Sequence, residues 1–294
     1  MGRLGRRSFL AGLAALAGAG TQKASAAGEH RLAEANDRLA AIERRAGGRL
    51  GVAVIEAGRG LKLAHRDDER FPMCSTFKLL ASAAVLRLVD QGKESLDRMM
   101  AYGPAELLHY APVTKAHVGQ GGMPLGDLCA AAIDWSDNTA ANLILSLIGG
   151  PEGFTRFARS LGDEATRLDR DEPSLNTAIP GDDRDTTTPL AMARDMEAVL
   201  LGGVLSEASR GRLEGWLIGD RVGDKRIRAG LPASWGIGDK TGTGDHGTAN
   251  DIAILRPPGR TPLLAAVYYT ESDAPMDVRN AIHKEVGEII AATF

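Results

Sequence analysis

Residues Arg70–Gln91 read RFPMCSTFKLLASAAVLRLVDQ. Pro72 marks a turn, and from Leu79 to Gln91 Leu and Ala recur at helical spacing. Ser75 therefore starts a helix, with Lys78 one turn further on the same face. Two readings of the pair are open. In the first, Ser75 is an N-cap and Lys78 a solvated surface charge. In the second, Ser75 is a nucleophile and the adjacent lysine takes its proton. The helix start then adds N–H donors and a positive field where a carbonyl oxygen would become negative.

Working outward, the chain before this stretch holds an amphipathic helix, Glu29 to Arg45, ended by Gly47-Gly48. A strand, Leu50 to Glu56, then turns through Gly58-Arg59-Gly60 into a second, Leu61 to His65. From Ser75 to about Gly211 the pattern is helical. Apolar, β-branched runs return at Ser234 to Lys240, Asn250 to Leu255 and Leu263 to Tyr269, and Met276 to Ala292 is a closing helix. The expected fold is α+β: a five-stranded antiparallel sheet flanked by N- and C-terminal helices, with a large all-α subdomain inserted. The sheet part takes 27–68 and 212–294, the helical part 69–211, and a site is expected in the cleft between them.

The chain of 294 residues is 44% hydrophobic and 25% charged, which suits a soluble globular protein with a substantial core. Its net charge of −3, with no basic patch, excludes nucleic acid as the expected partner. Residues 1–26 read as a cleavable targeting segment: Arg6-Arg7-Ser8-Phe9-Leu10, a short Gly- and Ala-rich apolar run to Gly20, then Ala24-Ser25-Ala26. A twin-arginine signal is a bacterial export address rather than an anchor, and the apolar run is too short to span a membrane. Cleavage near Ala26 leaves 31 basic against 38 acidic residues, a net of −7. The expected location is periplasmic or secreted, with no membrane partner. Cys74 and Cys129 are expected to be free thiols, and no metal site or cofactor is expected.

Three further stretches carry chemistry. Ser136-Asp137-Asn138 lies between two helical runs, where it is either a capping pair or a second hydroxyl beside an amide-binding Asn138. Lys240-Thr241-Gly242-Thr243-Gly244 follows the SWGIGD strand. It is either a glycine-rich turn or a carboxylate-binding row of two hydroxyls and an ammonium. Glu172-Pro173-Ser174-Leu175-Asn176 lies in a long loop, Arg167 to Asp185, where Glu172 and Asn176 would hold one water as a general base and its substrate. Arg170 and Asp185 would pair across the base of that loop.

In order and spacing, Ser75-Thr76-Phe77-Lys78, Ser136-Asp137-Asn138 and Lys240-Thr241-Gly242 resemble the motif set of the class A serine β-lactamases and penicillin-binding proteins. The resemblance to class A covers essentially the whole chain after residue 26, including YAPVTKAH, EPSLNTAIPGDDRDTTTP and GDKTGTGDHGTAND. It implies that Ser75 forms an acyl-enzyme with a β-lactam, within an oxyanion hole of the Ser75 and Thr243 N–H groups. Lys78, or Glu172 through a water, would deprotonate Ser75. Ser136 with Lys240 would relay the proton to the ring nitrogen, and Glu172 with Asn176 would hydrolyse the ester. Asn138 would hold the side-chain amide, Thr241, Gly242 and Thr243 the carboxylate, and Tyr110 would form the cleft wall. It also implies a monomer.

The sequence departs from some relatives. Seven residues beyond Gly242 many members place an arginine, where this chain has Ala249; Arg226 resembles the alternative used by others. Some members bridge the cysteine before the nucleophile to one two residues after Lys-Thr-Gly, where this chain has Gly244. Asp171, beside Glu172, is expected to point outward. The competing readings are a transpeptidase or carboxypeptidase, which would lack the Glu172 loop and stay acylated, and a membrane-bound penicillin sensor.

Overall fold

The computed structural model describes the backbone from Leu10 to Phe294 and the side chains from Gly28 onward. The targeting segment read at residues 1–26 lies outside the residues whose side chains are described. Helix α1 (Leu10–Ala46) leads into strands β1 (Arg49–Glu56) and β2 (Gly60–His65). A short strand, β3 (Phe71–Pro72), precedes helix α2 (Phe77–Asp90). The strands β4 (Met99–Met100) and β5 (Met123–Pro124) pair ahead of helices α3 (Leu125–Asp134), α4 (Asn138–Leu147) and α5 (Gly150–Ser160). Strand β6 (Thr186–Thr187) pairs with β3, and helices α6 (Pro189–Leu200) and α7 (Glu207–Ile218) follow. Strands β7 (Gly236–Thr243), β8 (Ala249–Arg256) and β9 (Leu263–Thr270) and helix α8 (Met276–Thr293) complete the chain.

The main sheet has five antiparallel strands in the order β2-β1-β9-β8-β7. The N-terminal hairpin thus joins the C-terminal strands across a long helical insertion, as the apolar runs implied. The strands read as nearly continuous apolar runs because both faces of the sheet are covered. Along β1, Leu50, Val52 and Val54 pack against α1 and α8, while the alternate residues Ala53 and Ile55 pack against the helical part. On β9, Val267 and Tyr269 face the terminal helices, and Ala266 and Tyr268 face the insertion. Each large aliphatic side chain buried this way contributes about 1.5–3 kcal/mol.

Helix α2 runs through the middle of the helical part, so every residue from Phe77 to Leu86 is buried. Phe77 packs edge-to-face on Phe154 of α5 with ring centroids 5.9 Å apart. Two boundaries differ from the sequence reading. Helix α7 runs across residue 212, because Leu213 and Leu217 continue its buried stripe. Strand β7 runs on through Thr243, so Lys240-Thr241-Gly242 lies inside a strand rather than after one. The two-residue ribbons β3–β6 and β4–β5 were not visible as patterns, being too short for any period.

Candidate active site

Ser75 does not open α2 directly. It sits in a single 3₁₀ turn, Cys74–Thr76, entered through Cys74 at φ 45°. That turn is tied from two sides. Asn250 Nδ2 on β8 donates to the carbonyls of Pro72 (2.8 Å) and Met73 (3.1 Å), and Met73 N–H donates to the Asp185 carbonyl (2.9 Å). Ser75 is thereby fixed to both the sheet and the end of the Glu172 loop. Cys74 and Cys129 are buried free thiols, and burial pushes both thiols above their ordinary range.

Lys78 is completely buried in the first turn of α2. Its ammonium donates to Asn138 Oδ1 (2.6 Å), the Ser136 carbonyl (2.8 Å) and Ser136 Oγ (3.3 Å), and lies 3.0 Å from Glu172 Oε1. Burial pulls its pKa down, and the Glu172 charge partly offsets that pull. Ser75 Oγ in turn donates to Glu172 Oε1 at 3.3 Å. Ser75, Lys78, Ser136, Asn138 and Glu172 therefore form one connected network.

The loop Arg167 to Asp185 holds Glu172 by side-chain bonds to backbone. Asn142 on α4 donates Nδ2–H to the Glu172 carbonyl and accepts the Glu172 N–H, both at 2.9 Å. Asn176 Nδ2 donates to Glu172 Oε2 at 2.5 Å. At the loop's base, Asp185 Oδ2 accepts Arg170 Nε–H (2.6 Å), and Asp185 Oδ1 accepts the N–H groups of Asp169 (2.7 Å) and Arg170 (2.9 Å). The Asp185 side chain is 1% exposed, so this is a buried pair rather than a solvated one. Asp171 is exposed.

On the opposite wall, Lys240 is buried on β7 and donates to the Thr241 carbonyl at 2.9 Å. Burial brings its pKa down to about 8; Asp220 works against that, and Lys78 and Arg226 add to it. The Ser136 hydroxyl accepts from Lys78 Nζ at 3.3 Å, with Ser136 in the left-handed backbone region at φ 56°. Arg226 is 5% exposed and not part of a solvated basic run. It donates to Thr243 Oγ1 (2.8 Å) and to the carbonyls of Gly242 (2.8 Å) and Asn250 (2.5 Å). Gly244 has no room for a side chain: a Cβ there would lie 2.6 Å from the Asn176 carbonyl oxygen and 2.7 Å from Cys74 Sγ.

A cleft of about 330 Å³ opens over these groups, lined by Ser75, Ser136, Asn138, Thr241, Thr243 and Arg226 among others, with the half-exposed Tyr110 as one wall. Such a volume suits a small bicyclic ligand. No group of His, Cys, Asp or Glu suited to a metal ion exists among the described residues.

This arrangement matches known proteins along most of its length. The β-lactamase enzyme family matches residues 34–294. The chain belongs to that family. It is 48% identical over 261 residues to β-lactamase CTX-M-8 of Citrobacter amalonaticus, covering 88% of this chain and 89% of that one. It is 50% identical to β-lactamase AST-1 of Nocardia asteroides, over 88% of this chain and 83% of that one. The solved ancestral (GNCA) class A β-lactamase superposes with a TM-score of 0.87 at 58% identity, covering 88% of this chain and all of that one. The fold is that of class A, and the protein is a class A β-lactamase, a serine hydrolase that opens β-lactams and so confers resistance to them.

Two residues of this β-lactamase site, Asn142 and Asn250, went unread in the sequence, whereas Asp137 was read as one of a capping pair. Asn142 was hidden in the apolar run NTAANLILSL; its signal was a lone amide on a buried helix face, which needs a partner. Asn250 opens an apolar strand in the same way. Asp137 is the N-cap of α4, accepting Ala140 N–H at 2.9 Å, and also clamps the N–H groups of Val113 and Thr114 at 2.9 Å. It fixes the turn that aims Ser136 and Asn138.

Proposed function

We propose that this β-lactamase hydrolyses penicillins and cephalosporins through a Ser75 acyl-enzyme that Glu172 clears. Ser75 Oγ attacks the lactam carbonyl carbon as Glu172 takes its proton; the contact of 3.3 Å between Ser75 Oγ and Glu172 Oε1 supports the carboxylate as that base. Lys78 contacts Glu172, Ser136 and Asn138, and stabilises the carboxylate charge rather than touching Ser75. The N–H groups of Ser75 and Thr243 receive the developing oxyanion, each such donor being worth about 2.7–4 kcal/mol of barrier.

The tetrahedral intermediate collapses with cleavage of the C–N bond. Ser136 gives its proton to the leaving nitrogen and is recharged from Lys78, which recovers the Ser75 proton from Glu172 and so restores the carboxylate, with Lys240 completing the positive field around it. Asn138 holds the substrate's side-chain amide. Thr241, Thr243 and Arg226 hold its carboxylate over Gly242, and Tyr110 walls the cleft. A water activated by Glu172 and oriented by Asn176 then attacks the ester carbonyl, and Ser75 leaves as the alcohol. Arg170 and Asp185 keep the loop closed beneath this step.

We further propose that residues 27–68 and 212–294 form the sheet part and 69–211 the helical part, with α7 crossing the boundary at 212, and that the protein acts as a monomer. Residues 1–26 are read as a twin-arginine export signal cleaved near Ala26, which places the enzyme in the periplasm or outside the cell. No helix among the described residues is long and apolar enough to cross a membrane.

The observation carrying the mechanism is the buried carboxylate of Glu172 touching both Ser75 and Lys78. The test is intact mass spectrometry with benzylpenicillin. The native protein is expected to return rapidly to its unmodified mass, Glu172→Ala to retain one penicilloyl adduct, and Ser75→Ala to acquire none. A native protein that itself stays acylated would sink the hydrolytic assignment of Glu172.

A further inference from the structure

The turn that carries Ser75 has a third tie, made from beneath by the main sheet. Gly51 on β1, Tyr268 on β9, Asn250 on β8 and Gly242 on β7 stand in one row, each paired in register with the next. Register partners in neighbouring strands project to the same face, and Tyr268 packs with the helical part. The glycines at the ends of the row let the chain from Phe71 to Thr76 lie directly on the strands. A Cβ at Gly51 would lie 2.5 Å from Phe71 Cε2, and one at Gly242 would lie 2.8 Å from the Met73 carbonyl oxygen.

The two polar side chains between the glycines reach into that chain. Asn250 holds the carbonyls of Pro72 and Met73. Tyr268 is fully buried, its ring centroid is 6.1 Å from that of Phe71, and its hydroxyl oxygen lies 3.2 Å from Thr76 Oγ1. The geometry decides which hydroxyl donates. Thr76 Oγ1 also lies 2.8 Å from the Met73 carbonyl oxygen, which can only accept, so the one Thr76 hydroxyl proton goes there. Tyr268 therefore donates to Thr76, and that donation strengthens the bond Thr76 makes in its turn. The chain from Tyr268 through Thr76 to Met73 closes the single turn that contains Ser75. Cys74, the first residue of that turn, is held at φ 45°, an unfavourable conformation for a residue with a Cβ, which persists only where its surroundings enforce it.

We propose that Tyr268 is a positioning residue for acylation: its hydroxyl, acting through Thr76, fixes the turn that presents the Ser75 hydroxyl and N–H to the β-lactam carbonyl. This role rests on the reading of Ser75 as the nucleophile. Before attack, the Ser75 oxygen is aimed by the turn alone. In the acyl-enzyme the ester and the bound substrate hold it as well, and Glu172 is held separately by Asn142 and Asn176. Loss of the Tyr268 hydroxyl therefore falls on acylation more than on deacylation.

The experiment is quench-flow mass spectrometry with benzylpenicillin, well below the melting temperature of each variant, which times both formation and decay of the penicilloyl adduct. Tyr268→Phe keeps the ring against Phe71 and removes only the hydroxyl. It is expected to slow adduct formation, and with it kcat/KM, by about tenfold, and to change adduct decay by less than about twofold. Thr76→Val removes the acceptor together with its bond to Met73. It is expected to slow acylation at least as much, and adding Tyr268→Phe to it to slow acylation no further. Thr76→Ser retains the hydroxyl and must retain native acylation. Native acylation by Tyr268→Phe overturns the proposal whatever happens to its melting temperature. So does an equal slowing of both steps, which would mean a general loosening of the cleft, and so does full additivity of the two substitutions. Should Tyr268→Phe not fold, Thr76→Val against Thr76→Ser decides: equal acylation by the two overturns the proposal. An adduct on Ser75→Ala would instead remove Ser75 as the nucleophile, a result that none of the Tyr268 or Thr76 variants can produce.

Discussion

Two regions bring their groups to Ser75 by opposite means. On one side, Lys240, Thr241, Gly242 and Thr243 lie in β7, and each residue of that strand is paired in register with β8, from Gly236 against Arg256 to Thr243 against Ala249. On the other, Glu172 stands in a loop of nineteen residues, Arg167 to Asp185, whose one regular element is the 3₁₀ turn Ser174–Thr177. Its position depends on Asn142, Asn176 and the Arg170–Asp185 pair. A ladder spreads positional control over many equivalent bonds, so one side-chain change leaves the frame standing. A loop held by a few polar contacts loses its geometry with any one of them. The groups on the strand wall thus sit on a regular element, while Glu172, the proposed deacylation base, hangs on a small number of replaceable bonds.

The largest expected effect comes from removing the base while keeping its shape. Glu172→Gln is expected to lower steady-state turnover of benzylpenicillin by about 10²–10⁴-fold. Quench-flow should then show a burst equal to one acyl group per enzyme. The burst rate decides a further point: if Glu172 also takes the Ser75 proton, as their contact suggests, acylation slows as well. A variant that turns over at the native rate would take Glu172 out of both steps.

Next comes the loop's base. Asp185→Asn leaves the partly buried Arg170 without its counter-charge; breaking a fully buried pair costs about 3–5 kcal/mol, and this one correspondingly less. Because the pair ties the loop and not the sheet, the cost should fall first on local opening. Amide hydrogen exchange is expected to accelerate across residues 169–185 and to stay slow in β7 and β8, with deacylation falling about 100-fold. Equal acceleration in the strands would mean that the loop and the sheet are not separate in stability.

Asn142→Ala tests the same region from outside the loop. It orphans the N–H and C=O of Glu172, each worth about 1–3 kcal/mol when buried. Deacylation is expected to fall about 10–100-fold, and the acylation burst to slow with it, because the displaced Glu172 is also the base for Ser75. On the strand side, Arg226→Ala should raise KM about tenfold with a smaller change in kcat, because it removes binding that substrate and transition state share. An unchanged kcat/KM would leave Arg226 a tie between Thr243 and β8, with no part in binding.

How far the sequence could be read divides along the same line. The five strands and both terminal helices were visible, because their apolar runs and flanking glycines follow local rules. Ser75, Lys78, Glu172 and Lys240 were visible because their motifs are contiguous. Asn142 and Asn250 were not. Each acts on a backbone segment far away in sequence, a relation no local spacing records. The extent of β7 was underread because Lys240-Thr241-Gly242-Thr243 looks like a turn, whereas pairing with β8 makes it strand. That the Ser136 hydroxyl meets Lys78 was not legible for a similar reason: which groups it meets depends on the left-handed backbone at Ser136, which its residue type does not announce.

The smallest expected effect concerns the root of the loop. Asp163, which accepts the N–H groups of Ala165 (2.6 Å) and Thr166 (3.0 Å), also hydrogen bonds to Asp195 on α6. Burial, chiefly, and the neighbouring Asp163 push the Asp195 carboxyl up to about 9. Its folded pKa thus lies above its unfolded value near 4. Stability from the protonated form is complete below about pH 4 and is progressively lost as pH rises toward about 9. Asp195→Asn keeps a donor to Asp163 and cannot ionise. Its melting temperature relative to the native protein is therefore expected to climb between pH 5 and pH 9, by a few degrees for each kcal/mol recovered. Melting curves that stay parallel over that range would show that the pair does not share a proton. The root of the loop would then be as insensitive to pH as a strand held only by its ladder.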